Sequence, residues 1–272
     1  MLKDITLGQY YQTDSVVHRL DPRVKLAATL LYICSLVTVK QAPGYVLAVL
    51  FLAVVIRLSH VPFRFMIRGM RSILLLLILT FFMNLFMIKG EVLVQFWKLS
   101  ISREGAEMAV KMAVRLSLLI IGSSVLTLTT TPNNLMDGME KALKPLKKLR
   151  VPVHEIAMMM SIALRFIPML LEKTDRIMKA QMARGAAFDE GNLIKKAKSM
   201  VPLLVPLLVS SFQIAGDLAM AMENRCYRGG EGRTKMKPLQ YKRRDYITYI
   251  VVLVYFAACI AAGRIVPFGR IF

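Results

Sequence analysis

The sequence predicts an all-α integral membrane protein with about five transmembrane helices and two long cytoplasmic or interfacial helices. Hydrophobic residues make up 56% of its 272 residues, compared with about 45–50% in soluble domains. Several apolar runs approach the roughly 20 residues that cross a bilayer as a helix. The chain also carries 37 Lys and Arg against 17 Asp and Glu. In such an apolar chain, this excess indicates contact with anionic lipid rather than with nucleic acid.

The predicted N-terminal membrane domain, residues 1–131, contains four apolar runs. Asp21 and Pro22 predict the start of the first helix, because Asp caps a free N–H and Pro has none to leave unpaired. The first two runs are short, so we expect Lys25, Lys40 and Arg57 to extend them by snorkelling. The four runs cover residues 26–39, 44–56, 72–88 and 109–130.

Two cations, Lys111 and Arg115, lie one helical turn apart near the start of the fourth run. Two interpretations stay open for this pair. The side chains form a polar face inside the bundle, as functional charges in membranes do, or they snorkel to the nearby interface.

The distribution of Lys and Arg among short loops predicts the orientation. Basic residues are concentrated before the first run and between the second and third, whereas only Lys40 separates the first two. We therefore expect a cytoplasmic N-terminus and, after five spans, an external C-terminus. The basic residues used are Lys3, Arg19, Arg23, Lys25, Arg57, Arg64, Arg68 and Arg71.

Residues 132–245 are predicted to form a cytoplasmic coupling domain, with 21 Lys and Arg against 11 Asp and Glu. A basic amphipathic stretch at 141–150 suits the lipid surface. Two long helices are predicted at 153–184 and 193–225, each with a proline-containing apolar half and then an amphipathic half. We favour in-plane over transmembrane placement for both. Their apolar stripes comprise Leu171, Thr174, Ile177, Met178 and Met182, and Leu208, Phe212, Ala215, Ala219 and Met222.

A final charge-free run at 247–263 predicts a transmembrane helix within a C-terminal segment, residues 246–272. Across the whole sequence we find no phosphate-binding glycine loop, and its three Cys and three His are scattered. The sequence thus predicts no catalytic residue, cofactor or metal site, and no ATP hydrolysis by this chain alone. The competing hypotheses are a stand-alone secondary transporter and an integral-membrane enzyme, for which Asp137 and Glu140 alone supply too few acidic groups.

Three segments together resemble the transmembrane T component of energy-coupling factor transporters. They are residues 15–26 (SVVHRLDPRVKL), residues 180–185 (AQMARG) and residues 218–229 (LAMAMENRCYRG). Each segment alone is weak evidence, but the combination is specific and the resemblance spans essentially the whole chain. It implies a non-enzymatic scaffold in a bacterial or archaeal cell membrane.

The resemblance also implies partners and docking residues. Such a scaffold joins two cytoplasmic ABC ATPases to a membrane S component that captures a vitamin or metal ion. The arginines of two Ala-Arg-Gly motifs, one on each long helix, dock into the ATPases. Here the first motif is intact, whereas the second reads Asn-Arg-Cys, and Arg228 is an alternative to Arg225. The implied ATPase-docking residues are Ala183, Arg184, Gly185, Asn224, Arg225, Cys226 and Arg228.

Overall fold

The structure is a computed structural model that describes residues 10–39, 41–71, 73–88, 92–96, 99–186, 193–229 and 238–265. These residues form nine α-helices, a short 3₁₀ helix and one small antiparallel hairpin, so the predicted all-α class is confirmed apart from that hairpin. The elements are α1 (Pro22–Thr38), α2 (Ala42–Ser59), α3 (Phe63–Arg71), α4 (Leu74–Met87), β1 (Val92–Phe96), β2 (Leu99–Ser102), α5 (Arg103–Thr129), α6 (Pro132–Ala142), the 3₁₀ helix (Lys144–Leu149), α7 (Val153–Ala183), α8 (Leu193–Asn224) and α9 (Arg243–Ile265).

The described residues fall into two compact units, 10–139 with 239–265, and 140–229 with residue 238. In the first unit, α1, α2, α5 and α9 enclose an apolar core. Its centre is aromatic: Phe51 of α2 stacks on Tyr255 of α9 at 4.1 Å between ring centroids, and Tyr32 of α1 lies beside both. In the second unit, α7 packs against α8.

The predicted start of α1 is confirmed. Asp21 is its N-cap, and the Asp21 carboxylate accepts a hydrogen bond from the Arg23 backbone N–H at 3.0 Å. Pro22 occupies the first turn, where its missing N–H leaves no donor unpaired. The two long helices also match the predicted ranges, with α7 ending one residue before Arg184 and α8 one residue before Arg225.

Two segments expected to be loops carry secondary structure. Residues 63–71 form α3, because Phe63, Met66, Ile67 and Met70 repeat at helical spacing and Met66 is fully buried. The hairpin β1–β2 precedes α5, in which the Ser102 hydroxyl caps the first turn by accepting from the Gly105 N–H at 3.0 Å. The charged residues of these two segments suggested loops, although the apolar spacing of α3 and the Ser102 cap of α5 are both present in the sequence.

The structure gives different partners to Lys25, which was expected to snorkel, and to Lys111 and Arg115, for which two interpretations were open. Lys25 is only 7% exposed and does not snorkel: its ammonium donates to the carbonyl oxygens of His18 at 3.1 Å and Thr129 at 2.8 Å. Arg115 ties α5 to the end of α1, donating to the Val39 carbonyl at 2.7 Å and the Tyr45 hydroxyl at 3.0 Å. Lys111 instead forms a surface ion pair with Glu107 at 3.0 Å. Lys40 lies outside the described residues.

Among the described helices, α5, α7, residues 199–224 of α8 and residues 243–262 of α9 are long and apolar enough to cross a membrane. Residues 43–59 of α2 and helix α4 are apolar but shorter. At 1.5 Å per residue the 14 residues of α4 span about 21 Å, less than the roughly 30 Å hydrocarbon core. The chain is thus a multi-pass membrane protein by helix composition, and the in-plane placement of α7 and α8 stays a prediction.

Candidate functional site

The first candidate arginine sits at the end of α7. Arg184 is the C-cap, and Gly185 follows with a left-handed φ of 88°. The Gly185 N–H donates to the Met182 carbonyl at 2.9 Å, and the Ala186 N–H donates to the Gln181 carbonyl at 3.0 Å. This pair of reversed hydrogen bonds is a Schellman motif, which satisfies the last carbonyls of a helix and turns the chain away from its axis.

The end of α8 repeats this geometry. Arg225 occupies the C-cap position, and Cys226 follows with a left-handed φ of 54°. The Cys226 N–H donates to the Glu223 carbonyl at 2.8 Å, and the Tyr227 N–H donates to the Met222 carbonyl at 3.0 Å. A Schellman motif therefore forms without glycine at its left-handed position, at a steric cost of about 1–2 kcal/mol for an L-residue.

The matched caps make Arg225, rather than Arg228, the structural counterpart of Arg184. Each of the first two arginines donates its backbone N–H to the carbonyl three residues earlier at 3.1 Å. Arg228 lies beyond the motif, in irregular backbone just before Gly229. The second sequence motif thus keeps the helix-end geometry of the first although two of its three residues differ.

All seven predicted docking residues are exposed. The three guanidinium groups therefore lie free to meet a partner, since no carboxylate of the described chain lies within salt-bridge distance of Arg184, Arg225 or Arg228. Each guanidinium offers a planar set of N–H donors that fits a carboxylate in a bidentate manner. The arrangement can bind an acidic partner.

The apolar stripes predicted on the two helices differ in exposure. On α7, four of the five stripe residues are half-buried and only Met182 is exposed. On α8, Leu208, Phe212, Ala215 and Ala219 are exposed, and Phe212 is 76% exposed. Contiguous exposed apolar surface of this kind marks contact with a protein partner or with lipid.

Residues of the first segment of the resemblance, 15–26, here called the N-terminal signature, form a separate cluster in the unit that contains α1 and α9. The Asp245 carboxylate at the start of α9 accepts from the backbone N–H groups of Asp21 at 2.9 Å and Lys242 at 2.7 Å. Arg23 donates to the Leu239 carbonyl at 3.1 Å and lies 4.7 Å from the Tyr241 ring centroid. These contacts fasten the starts of α1 and α9 together, which gives the signature a structural role.

Sequence reasoning missed Asp245, although it is the single acidic residue after three consecutive cations at 242–244. It also left Glu140 without a role, whereas the Glu140 carboxylate pairs with His154 Nδ1 of α7 at 2.9 Å, both residues belonging to the second unit. Near the signature, burial and the charge of Lys25 lower the pKa of His18 below its usual value. Within the described ranges, no three His, Cys, Asp or Glu side chains cluster as metal ligands would.

These features define a class of protein: a multi-pass helical membrane protein with two long helices that each end in an exposed C-cap arginine, Arg184 or Arg225. We call these two residues the arginine tips. The sequence profile of the cobalt transport protein family (CbiQ) matches residues 13–236. Curated relatives carry the name "Energy-coupling factor transporter transmembrane protein EcfT". That of Clostridium kluyveri is 54% identical over 93% of this chain and 95% of its own length. Those of Ruminiclostridium cellulolyticum and Bacillus subtilis are 49% and 44% identical, covering 94% and 95% of this chain and 96% and 97% of their own lengths.

The chain belongs to this family of transmembrane components of energy-coupling factor transporters. The resemblance drawn from three short segments is therefore confirmed over nearly the full length. Membership makes the chain a membrane component of a multi-subunit transporter.

Proposed function

We propose that this chain is the coupling scaffold of its transporter, joining two cytoplasmic ATPases to a membrane subunit that captures a vitamin or a metal ion. The observation that carries the proposal is the pair of matched, exposed arginine tips on α7 and α8. Two equivalent tips suit two similar partners, one for each helix. The chain itself is proposed to hydrolyse no ATP.

The exposed apolar stripe of α8 supports the second half of the proposal. A scaffold that passes motion to a membrane subunit needs an apolar contact surface, and Leu208, Phe212 and Ala215 supply one. Met200 and Met220 on the same helix are also exposed, and flexible Met side chains adapt to more than one partner. The family description names cobalt, whereas the names of the curated relatives specify no substrate, so vitamin and metal-ion cargo both belong to the proposal.

Co-purification with the ATPases tests the docking role. Truncating one member of a buried charge pair costs about 2–5 kcal/mol, because the partner charge is left unpaired; the lower value weakens binding about 30-fold. Arg184→Ala and Arg225→Ala should each reduce ATPase recovery or uncouple hydrolysis from uptake. The double variant should be worse than either single variant, because one remaining anchor still holds the complex.

Two further variants distinguish specific docking of the arginine side chains from a general effect of positive charge. Arg184→Lys should rescue poorly, because an ammonium lacks the planar donor set. Arg228→Ala is the matched control: it removes an exposed arginine three residues from Arg225 but outside the helix cap, and should have the smaller effect. Normal assembly and transport by the Arg184, Arg225 double variant would contradict the docking role.

A further inference from the structure

A cavity of about 680 Å³ lies in the unit that contains α1, α2, α5 and α9. This volume falls within the range of about 300–1,000 Å³ typical of ligand pockets. The wall is apolar for most of its length, and the coupling function proposed above makes no use of it. The lining residues include Tyr32, Phe51, Gly122 and Tyr255.

The cavity opens outward between α2 and α9. Six of its lining side chains on these two helices are about half exposed or more, whereas Leu52, Val252 and Tyr255 are buried. The six exposed side chains are Leu50, Val54 and Leu58 of α2, and Ile247, Val251 and Val254 of α9, with exposed fractions of 47–63%. Since the chain is a multi-pass membrane protein, an apolar groove with such an opening is accessible to lipid. We call this cavity the α2–α9 groove.

The α2–α9 groove is cationic at one end only. Lys25 and Arg244 line it near the starts of α1 and α9, which lie side by side through the hydrogen bond from the Asp21 N–H to Asp245. Tyr32 and Tyr255 line the other end. From Arg244 to Tyr255 the groove follows eleven residues of α9, about 16 Å, or roughly half of the hydrocarbon thickness.

Both cations can bind an anion. Lys25 Nζ uses two of its three donors on the carbonyls of His18 and Thr129, which leaves one for a ligand. Arg244 is exposed, and no described side chain forms a salt bridge with its guanidinium. No Asp or Glu lines the groove. The Asp21 and Asp245 carboxylates lie near Lys25 and offset part of its charge, so Arg244 is the main cation that remains for an anionic ligand.

We propose that the α2–α9 groove binds one anionic glycerophospholipid, with the phosphate at Arg244 and Lys25 and an acyl chain against Val251, Phe51 and Tyr255. The polarity of the groove matches that of the lipid: cationic where the headgroup lies and apolar where the chain lies. A transmembrane helix from a partner protein fits less well, because its apolar surface would bury the exposed Arg244 guanidinium without an anion.

The test uses the full-length chain in phosphatidylcholine nanodiscs that contain a trace of photoactivatable phosphatidylglycerol with a diazirine on its acyl chain. Mass spectrometry maps the labelled peptides. Label should concentrate on residues 47–58 and 247–255. A phosphatidylcholine probe with the same acyl chains should label these peptides several-fold less.

Matched variants identify each part of the groove. Arg244→Gln should reduce labelling by phosphatidylglycerol about five-fold, the effect of one cation near an anionic headgroup. Arg243→Gln is its control, because Arg243 is exposed but lies outside the groove. Val251→Trp should fill the groove and abolish labelling, whereas Leu253→Trp, on an equally exposed position outside the lining, should not.

Three outcomes would overturn the proposal. The first is equal labelling by the two headgroups, and the second is equal loss in Arg243→Gln and Arg244→Gln. The third is labelling that vanishes when the chain is assembled with its transporter partners, which would identify a protein as the occupant. Circular dichroism checks that every variant has the helix content of the parent chain. If a tryptophan variant fails to fold, the comparison of Arg244→Gln with Arg243→Gln still tests the proposal.

Discussion

At the scale of single residues, the two helix ends show how one backbone geometry tolerates different side chains. Gly185 and Cys226 occupy equivalent left-handed positions, with φ of 88° and 54°. Among the described residues other than its chain neighbours, a Cβ placed on Gly185 would meet no atom within 4 Å, and Cys226 is exposed. Their difference therefore lies in backbone preference rather than in packing.

This equivalence predicts opposite effects for exchanging the two residues. Cys226→Gly should stabilise the protein by up to about 1 kcal/mol, because glycine adopts left-handed backbone without a Cβ clash. Gly185→Cys should destabilise it by a similar amount. Thermal unfolding in detergent, followed by circular dichroism, should show midpoints that move in opposite directions by about 2–4 °C. Shifts in the same direction would contradict equivalent caps.

At the scale of elements, the contact between α1 and α5 depends on one small residue. Gly122 of α5 faces Tyr32 of α1, and a Cβ at position 122 would collide with the tyrosine ring. Tyr32 is 3% exposed and lies beside Phe51 and Tyr255, so moving its ring would disrupt this aromatic cluster. Close approach of these two helices therefore requires glycine at this position.

We expect Gly122→Ala to destabilise the bundle by about 1–3 kcal/mol, the usual cost of overpacking a core. Ser123→Ala is the matched control, because Ser123 is the next residue on the same helix and its side chain is exposed. Both variants can be compared by thermal unfolding in detergent. A Gly122→Ala variant as stable as the parent chain would show that the aromatic cluster repacks at little cost.

At the scale of the whole molecule, the charge distribution predicts a cytoplasmic N-terminus and coupling region and an external C-terminus. Single reporter cysteines test this on a background in which Cys34, Cys226 and Cys259 are replaced. Gln12→Cys, on an exposed residue, should react with an impermeant reagent only from the cytoplasmic side. Phe272→Cys should react only from outside, and labelling of Phe272→Cys solely from the cytoplasm would reverse the assignment.

The sequence by itself determined the all-α class, the family, the start of α1 and the extents of α7 and α8. These properties follow from local features of the sequence, which are the hydrophobic periodicity, the Asp-Pro start of α1 and the arginine that ends each long helix. Each of these features involves residues that are close together in the sequence, so it can be recognised without knowledge of the tertiary structure.

Tertiary structure alone decided which charged groups face which partners. Lys25 was expected to snorkel, but it is buried because carbonyls of His18 and Thr129 converge on it from distant segments. Asp245 joins the starts of α1 and α9 across more than 200 residues of sequence, and α1, α2, α5 and α9 together form the α2–α9 groove. Such contacts depend on how helices pack, and helical periodicity specifies which face is apolar but not which neighbour meets it.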